Sequence, residues 1–398
     1  MFANIPLEFI LFAFTLLGVV LFHRHSFPIA LTGLVAISAY KWFAQDYALA
    51  MHFLHEWKLV LNLLGLLVGF AILAKHFEDS GVPDLMPRIL PDDWKGGFVL
   101  LLLVAFMSTF LDNIAAAILG GVVARKVFNG RVSIGYLAAI VTASNAGGAG
   151  SVVGDTTTTM MWIAGVPAVH VTDAFIASGV AILITGFFAS RAQHRYQSIQ
   201  ADPGPAAHLD VEELGILSVV VLTRVLVAAL IIGGAVAGNV LVDFPALGAW
   251  IAVLIGGLFH PIPWAEAKSA WKGALFLIAL VLAASLMPVA SLPLPSWHTT
   301  LGLGFVSALF DNIPLTALAL KQGGYDWGVL AFAVGYGGSM IWFGSSAGVA
   351  ICNGFPEAKN TWQWVKQGWF IPVGYILGFF VLLAVLGWHP DALKATGP

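Results

Sequence analysis

The sequence predicts an all-α polytopic membrane protein built from two inverted repeats, and three observations carry that expectation. The 398 residues are 59% hydrophobic and only 10% charged, with a mean hydropathy of +0.90, so most segments lack a polar face to turn to water. Apolar runs of the 17 to 23 residues needed to cross a bilayer core of about 30 Å fall into two sets of five. Finally, one stretch occurs twice: Phe106 to Gly120 reads FMSTFLDNIAAAILG and Phe305 to Ala319 reads FVSALFDNIPLTALA, so that Asp112 falls on Asp311 and Asn113 on Asn312.

In chain order the first set of runs covers residues near 5–22, 27–43, 58–75, 133–162 and 171–190. The second covers 214–237, 241–259, 272–290, 327–355 and 366–388. His23, Arg24 and His25 follow the first run, whereas a signal peptide carries its charges ahead of the apolar core, so this run is read as a retained span. Between Tyr47 and Trp57, His52, His55 and Glu56 mix with Phe53 and Leu54 in the manner of an interfacial helix. His52, His55 and His76 lack the tight spacing of a metal site. Cys352 stands alone in an apolar run, and the net charge of -3 gives no nucleic-acid signal. Residues 191–213, with Asp202, Pro203, Pro205, Asp210, Glu212 and Glu213, form a polar linker between a first repeat, 1–190, and a second, 214–398.

The Asp-Asn stretches, about 98–127 and 298–322, are too short on either side of the aspartate to cross. Arms of 14 and 13 residues make about 20 Å of helix. Charge sorting favours re-entrant hairpins over crossings. With the N-terminus outside and both stretches re-entrant, 13 Lys and Arg fall inside against 4 outside, whereas two crossings give 6 against 11. Five spans per half is an odd number, so the second half runs upside down relative to the first. That is the architecture of secondary transporters with a midplane site.

The chemistry is expected where each hairpin is followed by a glycine-rich break in a long apolar segment, TASNAGGAGSVVGDTTTTMM from Thr142 and GYGGSMIWFGSSAGVAICNG from Gly335. Glycine costs about 1 kcal/mol in a helix interior, so Gly147, Gly148, Gly337 and Gly338 are expected to favour unwinding around a cavity. Aligning these glycine pairs puts Asp155 opposite Ser345 and Thr156 opposite Ser346, an arrangement asymmetric in charge. Asp155, Asp112, Asp311, Asn113, Asn312, Asn145, Thr156, Thr157, Ser345 and Ser346 supply carboxylate, amide and hydroxyl oxygens suited to a hard cation. An anion would instead call for basic residues and helix N-termini. Blander roles stand beside these. Thr158 and Thr159 can bond back to the preceding turn, and the aspartates can cap helices. Arg224, about ten residues into its run, is expected either to pair with one of the acids or to face a water-filled vestibule.

FLDNIAAAI, NAGGAGSVVGDTTTTMMW, DNIPLTALA and GYGGSMIWFGSSAGVA resemble the NhaD-type sodium/proton antiporters of the ion transporter superfamily, which also holds arsenite permeases and citrate carriers. The resemblance runs from about Leu59 to Trp388. It implies exchange of sodium or lithium for protons in the cell membrane, no cofactor, a scaffold and a transport domain per protomer, and a homodimer. Dicarboxylate carriers have Ser-Asn-Thr tips where this chain has Leu111-Asp112-Asn113 and Phe310-Asp311-Asn312, and Ala115 stands where the second repeat has Pro314. A sodium- or proton-coupled carrier of a small anion shares the implied fold and remains the alternative. An intramembrane enzyme is disfavoured, because the chain has no His-Glu-x-x-His motif and no plausible Ser/His pairing.

Overall fold

A computed structural model describes residues 5–22, 25–82, 86–199 and 211–391. These residues are helical throughout, with no strand among them. In order they form α1 (Leu7–Leu21), α2 (Ser26–Gln45), α3 (Leu49–His55), α4 (Trp57–Glu78), α5 (Trp94–Met107), α6 (Asn113–Val127), α7 (Ile134–Ala149), α8 (Thr156–Ile163), α9 (Ala168–Thr172) and α10 (Ala174–Tyr196). There follow α11 (Val211–Val242), α12 (Pro245–Gly256), α13 (Trp264–Ser285), α14 (Trp297–Ser307), α15 (Asn312–Gln322), α16 (Trp327–Gly337), α17 (Ser346–Gly354), α18 (Thr361–Gln367) and α19 (Phe370–Leu386). The centre of the expected linker, 200–210, lies outside the described residues, as does Arg24.

Among the described residues, five segments are long and apolar enough to cross a membrane as they stand: α2, α4, α9 with α10, α11 and α13. A sixth is possible if α18 and α19, bent by 57° at their junction, count as one span. The run expected at 241–259 contains, after the last two residues of α11, only the 12 residues of α12. Pro245 sets its first turn, while Gly256, Gly257, Pro261 and Pro263 prevent its continuation. The next run starts earlier than expected, at Trp264, because Glu266, Lys268 and Lys272 are accommodated on partly or fully exposed faces of α13.

Each Asp-Asn stretch is a pair of helices joined by a short turn, α5 to α6 through 108–112 and α14 to α15 through 308–311. Their 11 to 15 residues make about 16 to 22 Å, less than a bilayer core. Each Gly-rich run is a helix, an irregular segment and a second helix: α7, 150–155, α8 and α16, 338–345, α17. The two sets pack alike. α5 lies on α7 as α14 lies on α16, and α6 lies on α17 as α15 lies on α8. Equivalent hydroxyls make equivalent bonds, Ser108 Oγ to the Ser144 carbonyl at 2.6 Å and Ser307 Oγ to the Val334 carbonyl at 2.7 Å.

These contacts explain the glycines differently from the expectation of unwinding. Gly147, Gly148 and Gly337 are helical. A Cβ on Gly147 would stand 2.0 Å from the Ala105 carbonyl oxygen, and one on Gly337 would stand 2.3 Å from that of Gly304. Glycine here lets a hairpin arm lie backbone to backbone against the broken helix.

Candidate functional site

The irregular segments 150–155 and 338–345 meet between the hairpin turns, and each ends in a side chain that caps the following helix. Asp155 Oδ1 accepts from the Thr157 N–H at 2.9 Å to start α8. Ser345 Oγ accepts from the Gly348 N–H at 3.2 Å to start α17. The capping role considered from sequence is therefore real for Asp155, but it uses only one of the two carboxylate oxygens. Asp155 Oδ2 accepts from the amides of Asn113 at 3.2 Å and Asn312 at 3.3 Å, the first residues of α6 and α15. Both hairpins thus converge on a single oxygen of a residue that is 2% exposed.

Asn145 joins this cluster from α7. Its carbonyl oxygen accepts from Asn113 at 3.0 Å, and its amide donates to Ser339 Oγ at 2.9 Å and Ser345 Oγ at 3.1 Å. The Ser339 carbonyl in turn takes the indole N–H of the buried Trp364. Thr157 Oγ1 is buried without a hydrogen bond of acceptable geometry. Thr158 and Thr159 behave as the back-bonding reading has it, both donating to the Asp155 carbonyl, at 2.8 and 3.0 Å.

The hairpin aspartates sit beside this centre and cap their own return helices. Asp112 accepts from the Ile114 N–H at 3.3 Å and Asp311 from the Ile313 N–H at 3.0 Å. Asp311 also accepts from Ser346 Oγ at 3.0 Å. Asp112 and Thr156 line a cavity of about 490 Å³ whose other polar residues include Lys75, Glu78 and Glu266. Asp311 and Ser346 line a narrower one of about 190 Å³, walled by Leu16, Val20, Phe276 and Phe343 and reaching Ser26. Among the described residues no basic side chain forms an ion pair with Asp112, Asp155 or Asp311.

Arg224 does not join these acids. Its Nη1 lies 3.3 Å from Asp79 Oδ2 just beyond α4, where Asp79 also meets Lys75 at 2.8 Å. The guanidinium therefore meets an acid at the end of α4 instead of the three at the centre.

Gly335, Ser339 and Ala149 also shape the site and were not singled out from sequence. A Cβ on Gly335 would lie 3.6 Å from Asp155 Oδ2 and 3.3 Å from the Ala149 Cβ. The register of the two breaks could have found them, since it places Gly335 opposite Asn145 and Ser339 opposite Ala149.

No family model matches the chain. Among curated proteins, it is 28% identical over 377 residues to "Sodium/proton antiporter 1" of Arabidopsis thaliana, covering 83% of this chain and 62% of that relative. It is 27% identical over 374 residues to "Sodium/proton antiporter 2" of the same plant, covering 82% and 85%. To the "Na(+)/H(+) antiporter NhaD" of Alkalimonas amylolytica it is 26% identical over 345 residues, covering 74% and 68%. The chain therefore spans about 62% of the length of the first of these relatives. The resemblance to NhaD-type antiporters holds over most of the chain.

Proposed function

We propose that the protein is a secondary antiporter that exchanges sodium, or lithium, for protons across the cell membrane, with Asp155 holding one ion or the other. The observation that carries this reading is a buried carboxylate with two side-chain amides on one oxygen and, among the described residues, no basic partner. A carboxylate so placed is costly unless its charge is neutralised. A proton neutralises it, and so does a small cation that can also reach neighbouring oxygens. The two cannot occupy it together, so the fluxes are coupled by competition.

Sodium would find its remaining ligands among the Asn113 and Asn312 side chains, each able to present an amide oxygen, the Thr157 hydroxyl, and carbonyls of 150–155 and 338–345. The cavity at Asp112 and Thr156, with Glu78 and Glu266 along it, supplies an acidic approach. Several features support two inverted repeats with hairpins entering from opposite sides. Arg125, at the end of the first hairpin, bonds the Gly354 carbonyl, and Gly135 bonds Gln367 at 3.0 Å, which gathers 125–135, 354 and 367 at one end. The far end of the first broken helix leads to α9, which packs on α16, close after the second hairpin. The charge count assigns the first end to the cytoplasm and the N-terminus to the outside. A homodimer in the bilayer completes the reading, with sodium as substrate and no cofactor.

The test is a proton-flux assay in vesicles reconstituted with purified protein, challenged in turn with sodium, lithium, potassium, citrate and arsenite. Sodium and lithium should move protons and the anions should not, and lowering the pH should raise the sodium concentration for half-maximal rate. Asp155→Asn should abolish the response while the protein remains folded. An Asp155→Asn variant exchanging at the wild-type rate overturns the assignment.

A further inference from the structure

The register that places Asp155 opposite Ser345 also pairs Gly335 with Asn145 and Ala149 with Ser339, and the separate alignment of the hairpins pairs Asn113 with Asn312. The equivalence is physical as well as textual. A Cβ on Gly148 would meet the Gly154 carbonyl at 2.6 Å, and one on Gly338 would meet that of Gly344 at 2.7 Å. The centre is thus two superposable half-sites, one headed by Asp155 and one by Ser345.

The half-sites differ in what fills them. Opposite Asp155 stand Gly335 and Ala149, which put no polar side chain into the space beside Oδ2. Opposite Ser345 stand Asn145 and Ser339, both 0% exposed, and the Asn145 amide bonds both serine hydroxyls. An amide NH₂ group brings two donors to these hydroxyl oxygens, and Ser345 Oγ also accepts from the Gly348 N–H, which leaves it no lone pair for a cation. Buried donors and acceptors are thereby satisfied within the protein, so nothing there calls for an ion.

We propose that Asn145 is an internal plug: its amide occupies the half-site headed by Ser345, so that each chain binds a single sodium ion, at Asp155. This rests on the antiporter reading above and adds the stoichiometry of its site. It also gives Asn145 a role opposite to that of a ligand, since it excludes a cation from one half while its carbonyl oxygen orients Asn113 toward the other.

Sodium binding to purified protein by isothermal titration calorimetry tests the plug in both directions. Wild type should bind one sodium per chain. Asn145→Gly combined with Ser345→Asp, which copies the Asp155 and Gly335 positions of the other half-site, should bind two. The reciprocal Gly335→Asn should place an amide over Asp155 and weaken sodium binding at least tenfold. Its Cβ would stand 3.3 Å from the Ala149 Cβ, a contact relieved by a shift of a few tenths of an ångström, so that variant should fold if the double variant does not. A folded double variant that binds one sodium, a wild type that binds two, or a Gly335→Asn protein with wild-type affinity each overturns the plug. A wild type that binds none fails the antiporter reading itself.

Discussion

The two helix starts at the centre, Asp155 before α8 and Ser345 before α17, occupy equivalent positions, cap equivalent helices and pack against equivalent hairpins, yet they hold opposite chemistry. Asp155 gathers amides from both hairpins onto one oxygen, and its second half-shell is glycine and alanine. Ser345 is neutral and its surroundings are polar but mutually satisfied. The comparison teaches that duplicated backbone need not mean duplicated sites. The scaffold repeats because the packing of hairpin on broken helix is what lets irregular backbone exist at membrane depth. The asymmetry is concentrated where one copy places a carboxylate and the other makes room for it.

The sharpest way to break this comparison is to exchange the two heads. Asp155→Ser should reduce exchange in vesicles at least a hundredfold, and adding Ser345→Asp should not restore it, because Asn145 still covers that position. Recovery to a tenth of wild-type flux would mean that the surrounding asymmetry is unimportant. Next comes the convergence of the amides. Asn113→Ala or Asn312→Ala removes a hydrogen bond to a charged group, worth about 1.5–3 kcal/mol. Each should therefore raise the half-saturating sodium concentration by about tenfold or more, measured as cation-dependent proton flux.

A finer distinction separates the threonines that follow Asp155. Thr157→Val should weaken sodium binding several-fold with little change in thermal stability, since its hydroxyl makes no regular hydrogen bond. Thr158→Val and Thr159→Val should leave the affinity within about twofold, because both hydroxyls are committed to the Asp155 carbonyl. Equal effects from all three would remove Thr157 from the ligand set. The smallest effect is expected at Arg224. Its pairing with Asp79 lies at the end of α4, and partly exposed pairs contribute about 0–1 kcal/mol. Arg224→Gln should keep transport per folded molecule within about twofold, with a modest loss of yield. A tenfold loss of transport would return Arg224 to the ion path.

Much of this was determined by the sequence alone. Composition established the membrane, because no soluble core can bury chains of that apolarity. The repeated Asp-Asn stretch and the paired glycine breaks announced the four elements that meet at the centre, since polar residues and glycine clusters stand out against apolar helix. The register of the breaks even contained the asymmetry between Asp155 and Ser345. What only the tertiary structure decided was direction and company. Sequence could say that Asp155, Asn113, Asn312 and Asn145 were expensive to bury, but not that both hairpin amides point at one oxygen or that Asn145 turns to the serines. It left open whether Arg224 pairs with an acid or faces water, because the partner, Asp79, is set by how α4 and α11 pack. It assigned Gly147 and Gly337 to unwinding, whereas they are helical and let a hairpin backbone come close. Local pattern reports the cost of a residue; which neighbour offsets that cost depends on helices distant in the chain being brought together.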